Sequence, residues 1–203
     1  MRKIKEVIPA ASKVAASGLL LIGLLAGVCA PVFAQKAETI EAIAMGTGTQ
    51  MGKQFNLRLI IKDYSTKEER QVLAEAFQKG QNQGLSNALR KMRAVGRVSL
   101  TGTVGYDVSY IRLIPTPTGR KIRFVTNRPI TFGELYTDSV SQAYNLSGGE
   151  FDLNDKDKKK STGTLFPAAM LSIDKEGQLQ IDLNQNAWKL AGILDWSGTH
   201  GVN

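Results

Sequence analysis

Along the chain, apolar and polar residues change period twice. Phe55, Leu57, Leu59 and Ile61 alternate with Asn56, Arg58 and Lys62, the period of two of a strand with one buried face. Ser65 with Glu68 and Thr66 with Glu69 then offer two capping boxes, so a helix is expected to start there. Val72, Leu73, Ala76 and Phe77 form its apolar side, and Gly80 is a natural stop. A second helix is predicted from about Gly84, with Leu85, Ala88, Leu89 and Met92 at helical spacing and an end before Gly96. The pair reads as a helical hairpin near 66–95.

From Arg97 the period returns to two. Arg97 to Val104 and Tyr106 to Ile114 are rich in β-branched and aromatic residues, and Pro117-Thr118-Gly119 turns the chain into Lys121 to Thr126, a β-hairpin. Pro129 takes the chain out of central pairing. Val140 to Leu153 reads as a strand with a bulge at Gly148-Gly149, and Asn154 to Gly163 as an exposed loop before Thr164 to Ile173. Asp174 to Gly177 is a compact turn into Leu179, Ile181 and Leu183, whose alternation with Gln178, Gln180 and Asp182 is the cleanest strand signal. Trp188 to Leu194 closes the series. About eight strands joined mostly by short turns predict an α+β fold, a strongly curved antiparallel sheet or β-barrel with the helical hairpin inserted.

The first 34 residues belong to a different class. Arg2, Lys3, Lys5 and Lys13 precede an uncharged run, Val14 to Gln35, that includes Ala30-Pro31-Val32-Phe33-Ala34. A basic start, an apolar segment and small residues at Val32 and Ala34 make a signal peptide over 1–34, leaving 35–203 as a single β-rich globular domain. The run of 22 residues is also long enough to span a bilayer, so an uncleaved membrane anchor is the alternative. Cys29 raises lipidation, but Ala26 and Val28 depart from the residues usual before an acylated cysteine. Either way the domain is exported, periplasmic or extracellular. Cleaved after Ala34, it holds no cysteine and relies on packing alone.

Removing the signal also changes the charge. Of the formal +8, residues 1–34 contribute four Lys/Arg and one Glu, so the remaining 169 residues carry 22 basic against 17 acidic side chains, net +5. So mild a balance suits attraction to anionic envelope components, and no nucleic acid is expected as a partner.

No reaction is spelled out. Gly46-Thr47-Gly48-Thr49-Gln50-Met51-Gly52 resembles a phosphate loop but has neither phosphate-loop spacing and precedes a strand pattern, not a helix. Asp152, Asn154, Asp155 and Asp157 fail the calcium-loop pattern, with Asp157 and Gly163 where glycine and glutamate are required, so no metal is assigned. The only histidine is His200, near the C-terminus, and Ser172-Ile173-Asp174-Lys175 lies at a strand end, so no nucleophilic catalytic set is assigned and no cofactor is expected. Carboxylates such as Asp107, Glu134, Asp138 and Glu150 leave a carboxylate-dependent hydrolase as an alternative. Arg90, Lys91, Arg93, Arg97, Arg120, Lys121, Arg123 and Arg128 form the basic candidates for an anionic surface. Tyr106, Tyr110, Phe124, Phe132 and Tyr144 read as packing, or as the lining of an interior ligand site if the sheet closes.

The signal, Asp63-Tyr64-Ser65, Met92-Arg93-Ala94-Val95-Gly96, Gly105-Tyr106-Asp107 and Thr126-Asn127-Arg128-Pro129-Ile130 together resemble an uncharacterised family of exported bacterial proteins with no assigned function. The resemblance implies a bacterial source and a domain over most of 55–195, and carries no site residue. The expectation is a non-enzymatic exported binding or interaction domain for an envelope component or small apolar ligand. The alternatives are the hydrolase and a structural envelope protein.

Overall fold

The computed structural model describes residues 37–130, 144–173, 179–183 and 186–196; the expected signal peptide lies outside them. The strands are β1 (Glu38–Met45), β2 (Gln54–Ile61), β3 (Gly96–Leu100), β4 (Tyr106–Thr116), β5 (Gly119–Thr126), β6 (Leu146–Asn154), β7 (Thr162–Ile173), β8 (Leu179–Leu183) and β9 (Trp188–Asp195). One helix, α1 (Lys67–Lys91), joins β2 to β3. Going round from β1, strands β2 to β7 follow in sequence order, then β9, which pairs with β1 and closes an eight-stranded antiparallel barrel. The ninth strand, β8, lies outside this ring. It pairs with Ala169 to Ile173 of β7, whereas β9 pairs with Gly163 to Leu165 of the same strand, so β8 and β9 run one after the other along β7.

The alternation read from the sequence selects what goes inside. Ile40, Ala42 and Ala44 of β1 are buried, as are Leu57, Leu59 and Ile61 of β2, Val98 and Leu100 of β3, and Ile122 and Phe124 of β5. Inward positions of small barrels are filled by side chains. Here Trp188, Phe124 and Phe151 are the largest fully buried groups; Phe124 and Phe151 stack with centroids 6.1 Å apart, and Phe55 lies 5.4 Å from Trp188. Each large apolar side chain so removed from water contributes roughly 1.5–3 kcal/mol before entropy is counted. Gly149 belongs to the same fit. A Cβ there would lie 2.7 Å from the Phe124 ring.

One mouth of the barrel is closed by charge. Arg120, at the start of β5, bonds Glu38 of β1 and Asp195 of β9, the latter at 2.7 Å, and the Tyr64 hydroxyl donates to Glu38 at 2.6 Å. Burial alone would lower the Arg120 pKa, but the Asp195 hydrogen bond and the charges of Glu38 and Asp195 raise it overall. Burial, then the Glu38 hydrogen bond, pushes the Tyr64 phenol upward. The inside of the barrel is apolar, while its outside mixes charged pairs such as Arg58–Glu41 and Arg123–Glu150 with apolar residues such as Ile43 and Leu194. Among the described residues no helix is long and apolar enough to cross a membrane.

The two expected helices run together as one element of 25 residues, broken at Gln81, whose φ is +50°. The break is sharp: Gly84 lies against the Ala76 carbonyl oxygen, which a Cβ would approach to 2.3 Å, whereas eight residues of straight helix at 1.5 Å each would keep them apart. Gly80 marks the right place but does not carry the positive φ. Of the two capping boxes the chain uses the second: the Glu69 amide donates to the Thr66 hydroxyl at 3.1 Å and the Thr66 amide to the Glu69 carboxylate at 2.9 Å. Just past the break, the Asn82 amide donates to Asn145 at 2.8 Å and its oxygen accepts from the Leu171 amide of β7 at 2.9 Å. This buried bridge, with Leu73 and Leu89 packed on Leu146, seats the helix on the outside of the barrel.

Candidate ligand groove

A barrel filled by its own side chains offers ligands its outer surface. On that surface the register aligns Tyr110 of β4, Val125 of β5, Gly148 of β6 and Phe166 of β7 in one row. Tyr110 and Val125 lie partly covered by the helix, beside Leu85, Ala88 and Met92. Gly148 contributes no side chain, so the row dips between Val125 and Phe166. The dip is a groove of about 420 Å³ floored by Val125, Leu146, Gly148 and Phe166, with Ala169 and Leu171 toward the helix. That volume falls in the range of small-molecule sites.

Backbone geometry explains the glycine. The β6–β7 register shifts between Leu146 and Gly148, and a Cβ on Gly148 would come within 2.6 Å of the Phe124 carbonyl oxygen. The Gly148-Gly149 pair read as a bulge from sequence is therefore next to one, with one glycine serving the core and the other the groove.

Two residues further along each strand, about 7 Å away, runs a polar row: Arg112 of β4, Arg123 of β5, Glu150 of β6 and Thr164 of β7. Glu150 bonds Arg123 and, at 3.1 Å, Lys121, which also reaches Asp152 at 3.1 Å. Burial pushes the Glu150 pKa upward, but the hydrogen bonds of Arg123 and Lys121 outweigh it and hold the carboxyl below its ordinary range. Arg112 has no ion pair among the described residues. Its direct cross-strand partner is another arginine.

A second hollow, of about 560 Å³, crosses the outer faces of β9, β1, β2 and β3. Its two charged residues pair with each other: Arg58 bonds Glu41 at 2.7 Å, and the nearby Trp196 indole donates to the same carboxylate at 3.2 Å.

The other residues singled out by sequence are dispersed. Asp107 pairs with Arg97 at 3.2 Å and Glu150 lies at the groove, while Glu134, Asp138, Phe132, Lys175 and His200 are outside the described residues. The basic candidates do not make one surface: Arg93 pairs with Asp63 at 2.6 Å, Arg120 is in the barrel mouth, Arg128 lies over the Tyr106 ring, and Arg90 and Lys91 occupy the last helical turn. Of the aromatic candidates, Tyr106 and Phe124 are core, and the exposed Tyr144 hydroxyl donates to Asp182. In the acidic loop, Asn154 accepts from the Lys156 and Asp157 amides and Asp157 from the Lys159 amide, so these side chains form turns. Among the described residues no three His, Cys, Asp or Glu side chains are grouped to hold a metal ion. Phe166, central to the groove, was not singled out; its only sequence signal is an apolar residue on the outward parity of β7. Comparison with family models, curated proteins and solved structures gives no match to this chain.

Proposed function

We propose that this chain is a non-enzymatic exported binding domain that takes a small apolar ligand in the outer groove between the helix and β5–β7. The observation that carries the reading is the contrast between a barrel interior packed shut around Trp188, Phe124 and Phe151 and an open apolar dip on its outside, floored by Val125, Gly148 and Phe166. The interior ligand site that closure of the sheet raised finds no support, since those aromatic groups fill the space themselves. The hydrolase alternative has less behind it: Asp107 and Glu150 stand on separate strands, each held by a cationic partner. Export rests on the sequence of residues 1–34.

Titration with Nile red, an uncharged solvatochromic dye, tests the site. Saturable binding is expected for the mature protein, with loss in Phe166→Asp and retention in Ile43→Asp, which alters the opposite hollow. Absence of saturable binding, or an unchanged response in Phe166→Asp, would overturn the proposal.

A further inference from the structure

Resting on the groove reading, the polar row beside it narrows the ligand class: we infer that the groove takes an anionic amphiphile, its carboxylate between Arg112 and Arg123 and its hydrocarbon over Gly148 against Val125 and Phe166. Arg112 and Arg123 are direct partners across β4 and β5, and both project outward, since Ile111 and Phe124, their chain neighbours, point into the core. Like charges placed directly opposite one another on a sheet repel. The neighbouring carboxylates relieve the pair only in part, at Arg123. Glu150 is shared between Arg123 and Lys121, Asp152 is held by Lys121, and neither pairs with Arg112. Among the described residues, three cations thus face two carboxylates on this patch, and the surplus positive charge is at the arginine pair.

A carboxylate placed between two guanidiniums accepts charge-assisted hydrogen bonds from both and removes their repulsion. The distances suit one molecule. The arginine row lies about 7 Å along the strands from the Val125–Gly148–Phe166 row, so a head group on the first leaves its first few methylenes over the second. Arg123 lines the groove itself. A neutral hydrocarbon would use only the apolar floor, and a cationic amphiphile would meet the surplus positive charge.

Displacement of Nile red from the mature protein by dodecanoate, dodecanol and dodecylammonium, each below its micelle concentration and at low salt, tests the inference. Dodecanoate is expected to displace at about tenfold lower concentration than dodecanol, as one added charge-assisted contact implies. In Arg112→Gln that advantage shrinks toward unity while dodecanol is unaffected, and Arg112→Glu shifts the preference toward dodecylammonium. Equal displacement by acid and alcohol, or an advantage that survives Arg112→Gln, overturns the anionic assignment and leaves the apolar groove standing. Failure of all three to displace bound dye removes the groove as the site.

Discussion

The Arg120 guanidinium lies 2.7 Å from the Asp195 carboxylate, joining the start of β5 to the end of β9 across 75 residues of sequence. Glu38 completes the cluster, and the three side chains are 23%, 12% and 11% exposed, so they are largely shielded from water. Arg120→Met removes the cation that Glu38 and Asp195 share and leaves both carboxylates without it. We expect a loss of about 3 kcal/mol, measured by denaturant unfolding. The triple variant Arg120→Met, Glu38→Gln, Asp195→Asn removes all three charges of the cluster together and should recover most of it. A triple variant as unstable as the single one would mean that packing, not charge, holds the mouth.

At the groove, Glu150 gives a pH dependence of definite sign. Its folded-state pKa lies below the ordinary 4.5, so its contribution is complete above that value and is lost as pH falls through the folded pKa. Lys121 is shifted up from 10.5 by Glu150 first and Asp152 second, so its contribution is complete below 10.5 and is lost as pH rises through its folded value. Thermal melts of Glu150→Gln against the parent should show a deficit of up to about 1 kcal/mol at neutral pH. That deficit should vanish in acid. A deficit independent of pH would point to lost packing.

Gly149 and Phe124 should be energetically coupled. Gly149→Ala places a Cβ 2.7 Å from the Phe124 ring and equally close to the Thr164 carbonyl oxygen. Overpacking of this kind costs about 1–3 kcal/mol. Phe124→Leu relieves the ring contact but not the backbone one, so a double-mutant cycle should give partial rescue. Strict additivity would show that the ring is not the obstacle.

The helix break predicts two changes of opposite sign. Gln81 holds φ +50°, a conformation that glycine adopts freely, so Gln81→Gly should stabilise by about 1 kcal/mol. Thr66→Ala removes the hydroxyl that accepts the Glu69 amide and should cost about 1 kcal/mol. Urea midpoints of the two variants on opposite sides of the parent are the expected result.

That break shows where sequence reading stops. The alternation of Phe55 to Ile61, the capping residues before α1, the turn at Pro117-Thr118 and the strand at Leu179 are local, because each is set by period or by turn chemistry within a few residues. Gly80 and Gly84 locate the helix interruption, but the positive φ falls on Gln81, between them, where propensity gives no hint. Closure depends on β9 meeting β1 and, past β8, meeting β7, pairings that only tertiary packing decides. The groove is less legible still. Tyr110, Val125, Gly148 and Phe166 become neighbours only after three separate registers are fixed, and a shift of one residue in any of them would send its side chain inward.

The Asn82 bridge has a consequence for solubility. A closed barrel exposes no unpaired strand edge, but β7 runs beyond Ala169, the last of its residues paired with β6, and so its next few backbone groups lose that neighbour. Such a stretch is a template on which a second molecule can add a strand. Asn82, projecting from the helix just after its break, accepts the Leu171 amide hydrogen and occupies that position first. The helical turn after the break thereby covers part of that stretch of β7 with a side chain.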